Sequence, residues 1–98
     1  RMVLDQGTCC IYNTIGQAYL GFCQRDHVVA GEHVILTIVS DEVDAWYDRL
    51  AAAGVEIEHA PRDNPNYGIY HFFARDPDGY RVEIQRFHDP DWDVHRDQ

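Results

Sequence analysis

The chain has 98 residues, which is one small domain with a core that is marginal for its size. Its formal charge of −9 repels nucleic-acid phosphates and speaks against a nucleic-acid partner. No apolar run is long enough to span a bilayer and no signal-peptide pattern opens the chain, so a membrane role is not expected.

Gly7 to Asn13 alternates as a strand, Asn13-Thr14-Ile15-Gly16 is a short turn, and Gln17 to Gln24 returns, which predicts a hairpin over 7–24. The cysteines are odd in number: Cys9, Cys10 and Cys23. Adjacent Cys9 and Cys10 point to opposite faces of a strand, and there is no Cys-x-x-Cys pair. Packed, reduced thiols in a cytoplasmic protein are therefore expected, with no cysteine metal site. Arg25 to Gly31 connects to a β-branched strand, His33 to Val39. Ser40-Asp41-Glu42 then opens a helix over Asp41 to Ala53, because serine caps it and the acids suit its positive end. Val43, Trp46, Tyr47, Leu50 and Ala53 recur at helical spacing, and Gly54 ends the helix. Val55 to Ala60 reads as a short strand and Pro61 to Asn66 as a polar loop. Tyr67 to Arg75 and Tyr80 to Phe87 read as an antiparallel pair. His88 to Gln98 reads as a solvated tail; its His88, Asp89, Asp91, His95 and Asp97 lack a rigid element to present them as a metal cluster.

The turn between the last two strands carries the most information. In Asp76-Pro77-Asp78-Gly79, proline presets one backbone angle and glycine accepts a positive φ. In the strand that follows, Val82 and Ile84 alternate with Arg81, Glu83 and Gln85. Glu83 is thereby carried mid-strand on the face opposite the core. The expected core joins Val34, Leu36, Ile38, Trp46, Leu50, Val82 and Ile84.

From His33 onward the order is strand, helix, strand, strand, strand. With His33-Val34-Ile35-Leu36 at its start, Tyr67-Gly68-Ile69-Tyr70-His71-Phe72-Phe73 inside it and Asp76-Pro77-Asp78-Gly79…Val82-Glu83-Ile84 at its end, the chain resembles the vicinal oxygen chelate superfamily. That group holds glyoxalase I, extradiol dioxygenases and the bleomycin-resistance proteins. The resemblance implies an α+β fold: one complete βαβββ module over 32–87, preceded by the 7–24 hairpin of an incomplete first module and followed by the 88–98 tail, in a single domain. The family has two such modules forming a cup, so the chain reads as truncated at the N-terminal module.

The resemblance also implies a divalent metal ion, Zn, Mn, Fe or Ni, held by His33 and Glu83, which match the family's ligand positions. Two ligands are fewer than a mononuclear site needs, and a homodimer would double them. His71 stands as a general base or as a polar group bonding a cross-strand neighbour. Arg81 stands as an anion-binding residue or as an ion-pair partner of a carboxylate. Tyr67 stands as a gating phenol or as an interface aromatic. Two functions follow. One is a metal-dependent lyase, isomerase or dioxygenase acting on vicinal oxygens, with His71, Arg81 and Tyr67 as its catalytic groups. The other is a non-catalytic binder of a small drug or toxin, favoured by the acidic surface and the incomplete ligand set. The expected partners are a small molecule and a second copy of the chain, since an open sheet exposes edges.

Overall fold

The computed structural model describes residues 1–27 and 33–93. The chain forms two compact units, Arg1–Val28 with Asp89–Gln98, and Val29–His88.

The first unit is a three-stranded antiparallel sheet of β1 (Met2–Asp5), β2 (Cys9–Ile15) and β3 (Ala18–Cys23), in that order. The hairpin expected over 7–24 is β2 and β3, and β1 adds a strand that the sequence reading did not anticipate. At the turn, Asn13 Nδ2 donates to the Gly16 carbonyl at 2.8 Å and Thr14 Oγ1 to the Ala18 carbonyl at 3.0 Å. Both side chains thereby tie the turn to its own backbone carbonyls. The register sets Cys9 directly across from Cys23 with 4.0 Å between their Cα atoms, and the two form a disulfide. This corrects the expectation of reduced thiols: the hairpin turn brings together two sulfurs separated by 14 residues. Cys10, on the alternate face, stays free. The tail also departs from its reading as solvated. Trp92 and Asp93 are buried, the Trp92 ring lies 4.9 Å from that of Tyr19, and the Tyr19 hydroxyl donates to Asp93. His95 and Asp97 lie outside the described residues.

The second unit contains β4 (Ile35–Val39), α1 (Val43–Ala52), β5 (Arg62–Asn64), β6 (Ile69–Arg75) and β7 (Arg81–Phe87). Its sheet runs β4-β7-β6-β5, with β4 parallel to β7 and the other pairs antiparallel. A parallel pair needs a long crossover, and α1 is part of it. The Ser40 hydroxyl accepts the Glu42 N–H at 3.1 Å just ahead of the helix, and Asp44 lies in the first turn. Gly54, at φ +79°, supplies the left-handed residue that ends it. The helical stripe seats as expected: Val43 is buried with Phe72, Ala74 and Ile84, and Trp46, Tyr47 and Leu50 pack around them. Tyr47 meets Phe72 edge to face at 5.5 Å.

The expected core is only partly assembled. Ile84 is buried, and Trp46, Leu50 and Val82 are half-buried against the cluster. Val34, Leu36 and Ile38, however, remain 50%, 54% and 40% exposed. The helix lies over β6 and β7 and stops short of β4, so the edge strand keeps its apolar side chains in water. Two loop assignments also shift. Arg62–Asn64, inside the expected polar loop, forms β5. The expected strand 55–60 reduces to a bridge between Ile57 and Ala74, flanked by Glu58 N–H to Phe73 and Arg75 N–H to Glu56 bonds of 2.9 Å. The final turn forms as read. Gly79 takes φ +90° and donates to the Asp76 carbonyl at 3.0 Å, while Asp76 Oδ1 accepts the Asp78 and Tyr80 N–H groups at 2.9 and 2.8 Å.

Candidate functional site

Alternation decides which side chains share the face opposite α1. Tyr70, Phe72 and Ala74 on β6, with Val82 and Ile84 on β7, pack under the helix. His71, Phe73 and Arg75, with Arg81, Glu83 and Gln85, therefore take the other face. The register pairs Phe73 with Glu83 and His71 with Gln85, so His71 and Glu83 are diagonal neighbours within reach of each other.

They meet. His71 Nδ1 lies 2.7 Å from Glu83 Oε2, and both side chains are largely withdrawn from solvent. Thr37, directly across from Glu83 on β4, donates its hydroxyl to Oε1 at 3.2 Å. The Gln85 amide, turned with its NH2 toward the carboxylate, donates to both oxygens at 3.2 Å. A carboxylate oxygen accepts, so Nδ1 is the ring nitrogen that donates to Glu83. Three donors converge on Glu83 and fix both the carboxylate and the imidazole it holds.

A second imidazole stands beside the first. The rings of His59 and His71 lie 5.5 Å apart, edge to face, and Phe73 completes the group at 5.8 Å from His59 and 5.2 Å from His71. His59 Nδ1 lies 2.8 Å from the Ala60 carbonyl and donates to it, since a carbonyl can only accept. His59 Nε2 is buried and has no hydrogen-bond partner. A buried nitrogen in that condition is destabilising by about 1–3 kcal/mol.

The rim of the site is an ion-pair network. Arg81 Nε donates to Glu58 Oε2 at 2.9 Å and its second nitrogen to Oε1 at 3.3 Å, while Arg75 stands 3.5 Å from the same carboxylate. The Arg81 guanidinium also lies 3.8 Å over the Phe73 ring. The Arg81 hydrogen bond is the main cause that holds the Glu58 carboxyl below the usual range.

Of the residues expected at the site, the fold brings His71, Arg81 and Glu83 onto one face. Glu83 and His71 touch each other, and the partner of Arg81 is Glu58. Tyr67 lies in the turn between β5 and β6, half-buried, with its N–H donating to the Asn64 carbonyl at 3.2 Å. His33 is exposed and precedes β4. Thr37, four residues later, occupies the position across from Glu83, and β4 begins only at Ile35, so the ladder does not pair His33 with Glu83. Sequence reasoning missed Thr37, Gln85, Glu58 and His59. Thr37 carried a signal, as the one polar residue inside an apolar strand. Gln85 shared Glu83's alternation. His59 follows a bridge at a loop and had no pattern to betray it.

The description Glyoxalase/Bleomycin resistance protein/Dioxygenase superfamily belongs to the family model that matches residues 16–84. The chain belongs to this superfamily. Among solved structures, the glyoxalase-type fold of the chain is similar to a conserved domain protein at 26% identity. That match covers 81% of this chain and 70% of the other, with a TM-score of 0.53. A glyoxalase/bleomycin resistance protein/dioxygenase from Nocardioides is 17% identical over 91% of this chain and 68% of its own, with a TM-score of 0.55. A structure described as the NAD-dependent benzaldehyde dehydrogenase from Legionella pneumophila is 21% identical over 82% of this chain and 72% of its own, with a TM-score of 0.60. Similarity at these last two levels concerns the fold. No curated protein matches the chain.

Glyoxalase superfamily members often use divalent metals, and the donor set here does not fit one. Both oxygens of Glu83 are taken by His71, Thr37 and Gln85. The register sets Thr37, not His33, across from Glu83. Among the described residues, no three His, Cys, Asp or Glu side chains are grouped to hold an ion.

Proposed function

We propose that the chain is a glyoxalase-like small-molecule protein whose sheet face opposite α1 takes a ligand with adjacent oxygen functions. His71 acts there as acid and base. The carrying observation is the 2.7 Å contact between His71 Nδ1 and Glu83, buttressed by Thr37 and Gln85. A carboxylate that fixes the tautomer of an imidazole leaves Nε2 ready to take a proton from a ligand hydroxyl or from carbon beside a carbonyl, and to return it. Phe73 supplies an apolar wall. Arg81 and Tyr67 belong to the proposal as rim residues that orient the ligand.

A second reading, binding without chemistry, is favoured by Arg81. Its guanidinium is already committed to Glu58 and Phe73, so it is not poised to stabilise negative charge developing on a ligand. Thermal-shift screening of small vicinal diols, α-hydroxyketones and catechols, followed by product analysis of the hits, tests both readings. Turnover that falls about 100-fold or more in H71Q, with binding retained, supports the catalyst. Binding without turnover supports the second reading. Hits whose shift is indifferent to both His71→Gln and Phe73→Ala contradict the site.

The proposal extends to a homodimer. Ile35, Leu36, Ile38 and Val39 of the edge strand β4 are each at least 40% exposed, and an apolar strand with an open edge invites a partner. Among the described residues no helix is long and apolar enough to cross a membrane.

A further inference from the structure

The disulfide of the first sheet is asymmetric in its surroundings. Cys9 is buried at 5% exposure, and Cys23, its cross-strand partner, is exposed. An external nucleophile therefore reaches the Cys23 sulfur first. The bond it breaks releases Cys9 as the leaving group, and there the fold has placed a cation: Arg25 Nη1 lies 4.0 Å from Cys9 Sγ. A second hydrogen bond, from the same nitrogen to the Gln24 carbonyl at 2.8 Å, holds the guanidinium in place. A thiolate leaves faster as its basicity falls, and a neighbouring guanidinium lowers it. The third cysteine is set apart from this exchange. Cys10 faces the other way on β2, and its thiol stands 3.7 Å from the Asp5 carboxylate. Burial and the Asp5 charge push it up from its usual range, away from the thiolate form.

We propose that Cys23 is a site of modification by small monothiols, with Cys9 as the leaving thiolate held by Arg25. In the first step the monothiolate sulfur attacks Cys23 Sγ. A new S–S bond forms to Cys23, the Cys9–Cys23 bond breaks, and its electron pair leaves on Cys9. The charge carried in by the attacking thiolate appears on Cys9 beside the guanidinium. Two fates follow. Cys9 attacks back and expels the monothiol, or a second monothiolate removes the first as a symmetric disulfide and leaves Cys23 as a thiolate. In the second case the monothiol pair has lost two electrons and the protein disulfide has gained them. The clip opens at the end of the hairpin remote from its turn, where Gln24 N–H donates to the Thr8 carbonyl at 2.8 Å.

The test uses the full chain in the C10S background, so that only the paired sulfurs report. Air-oxidised protein is first treated with iodoacetamide, then with 2-mercaptoethanol for a short time in the continued presence of the alkylating agent. Acid quenching and peptide mass mapping follow. The expected result is no alkylation at Cys9 or Cys23 before the thiol is added. Afterwards mercaptoethanol should sit on Cys23 and the alkyl group on Cys9. In R25Q the same products should form about threefold or more slowly, because the leaving thiolate has lost its cation. R25K, which keeps the charge, should restore much of the rate. A mercaptoethanol adduct on Cys9, alkylation of both cysteines before thiol is added, or an R25Q rate equal to that of the parent would each overturn the proposal.

Discussion

At the scale of single residues, the electrostatics of the second unit give tests with a definite sign. Glu58 has its pKa lowered by Arg81, so its stabilising contribution is full above the ordinary carboxylate range and is lost as pH falls through the lowered value. Its side chain is 29% exposed, and solvent discounts the pair to about 0.5 kcal/mol. Urea denaturation should show E58Q slightly less stable than the parent at neutral pH, with the gap closing in acid. Equal stability at both pH values would show that the network contributes nothing. Tyr70 behaves oppositely. Its hydroxyl donates to Asp44 at 2.6 Å, which with burial raises its pKa. The stability it contributes is full below the usual tyrosine range and is lost as pH rises through the raised value. Y70F should therefore be less stable than the parent at neutral pH and converge with it in strong alkali, as followed by circular dichroism.

At the scale of elements, the last turn and the helix seat were legible because their signals are local. Asp76-Pro77-Asp78-Gly79 encodes its own hydrogen bonds, and Gly79 at φ +90° is the one residue in it that must lack a Cβ. Gly79→Ala should be destabilising by about 1–2 kcal/mol through strain alone. Phe72, with no exposed surface, lies where the stripe of α1 meets the sheet. Phe72→Ala should be destabilising by about 3–5 kcal/mol, and a loss under 1 kcal/mol in chemical denaturation would contradict the packing described. What was not legible depended on tertiary partners. Alternation in β4 identified a strand with an apolar face. It could not tell that α1 would stop at β7 and leave Leu36 and Ile38 exposed. Nor did the composition of 61–66 suggest β5, a three-residue edge recruited by β6. The Cys9–Cys23 pairing was hidden for a similar reason: a hairpin brings such cysteines together only in one register.

At the scale of the whole molecule, the site was half legible. Alternation placed Glu83 opposite the core, and the family resemblance marked both Glu83 and His71. It also marked His33 as Glu83's companion, and the parallel register of β4 on β7 gives that place to Thr37. Register is a property of pairing and is not written in either strand alone. The exposed β4 edge makes association the expected state, and light scattering at micromolar concentration should return about twice the chain mass. Replacing Leu36 and Ile38 by lysine should return the monomer, and a monomeric parent across that range would refute the dimer. The central claim is that Glu83 fixes His71 with its proton on Nδ1 and its Nε2 free for a ligand. Long-range ¹H–¹⁵N correlation of the histidine rings, at a pH where His71 is neutral, tests this most directly. The account predicts an Nδ1–H tautomer for His71 that gives way to a tautomer mixture in E83Q. A His71 ring protonated on Nε2, or one unchanged in E83Q, would contradict it.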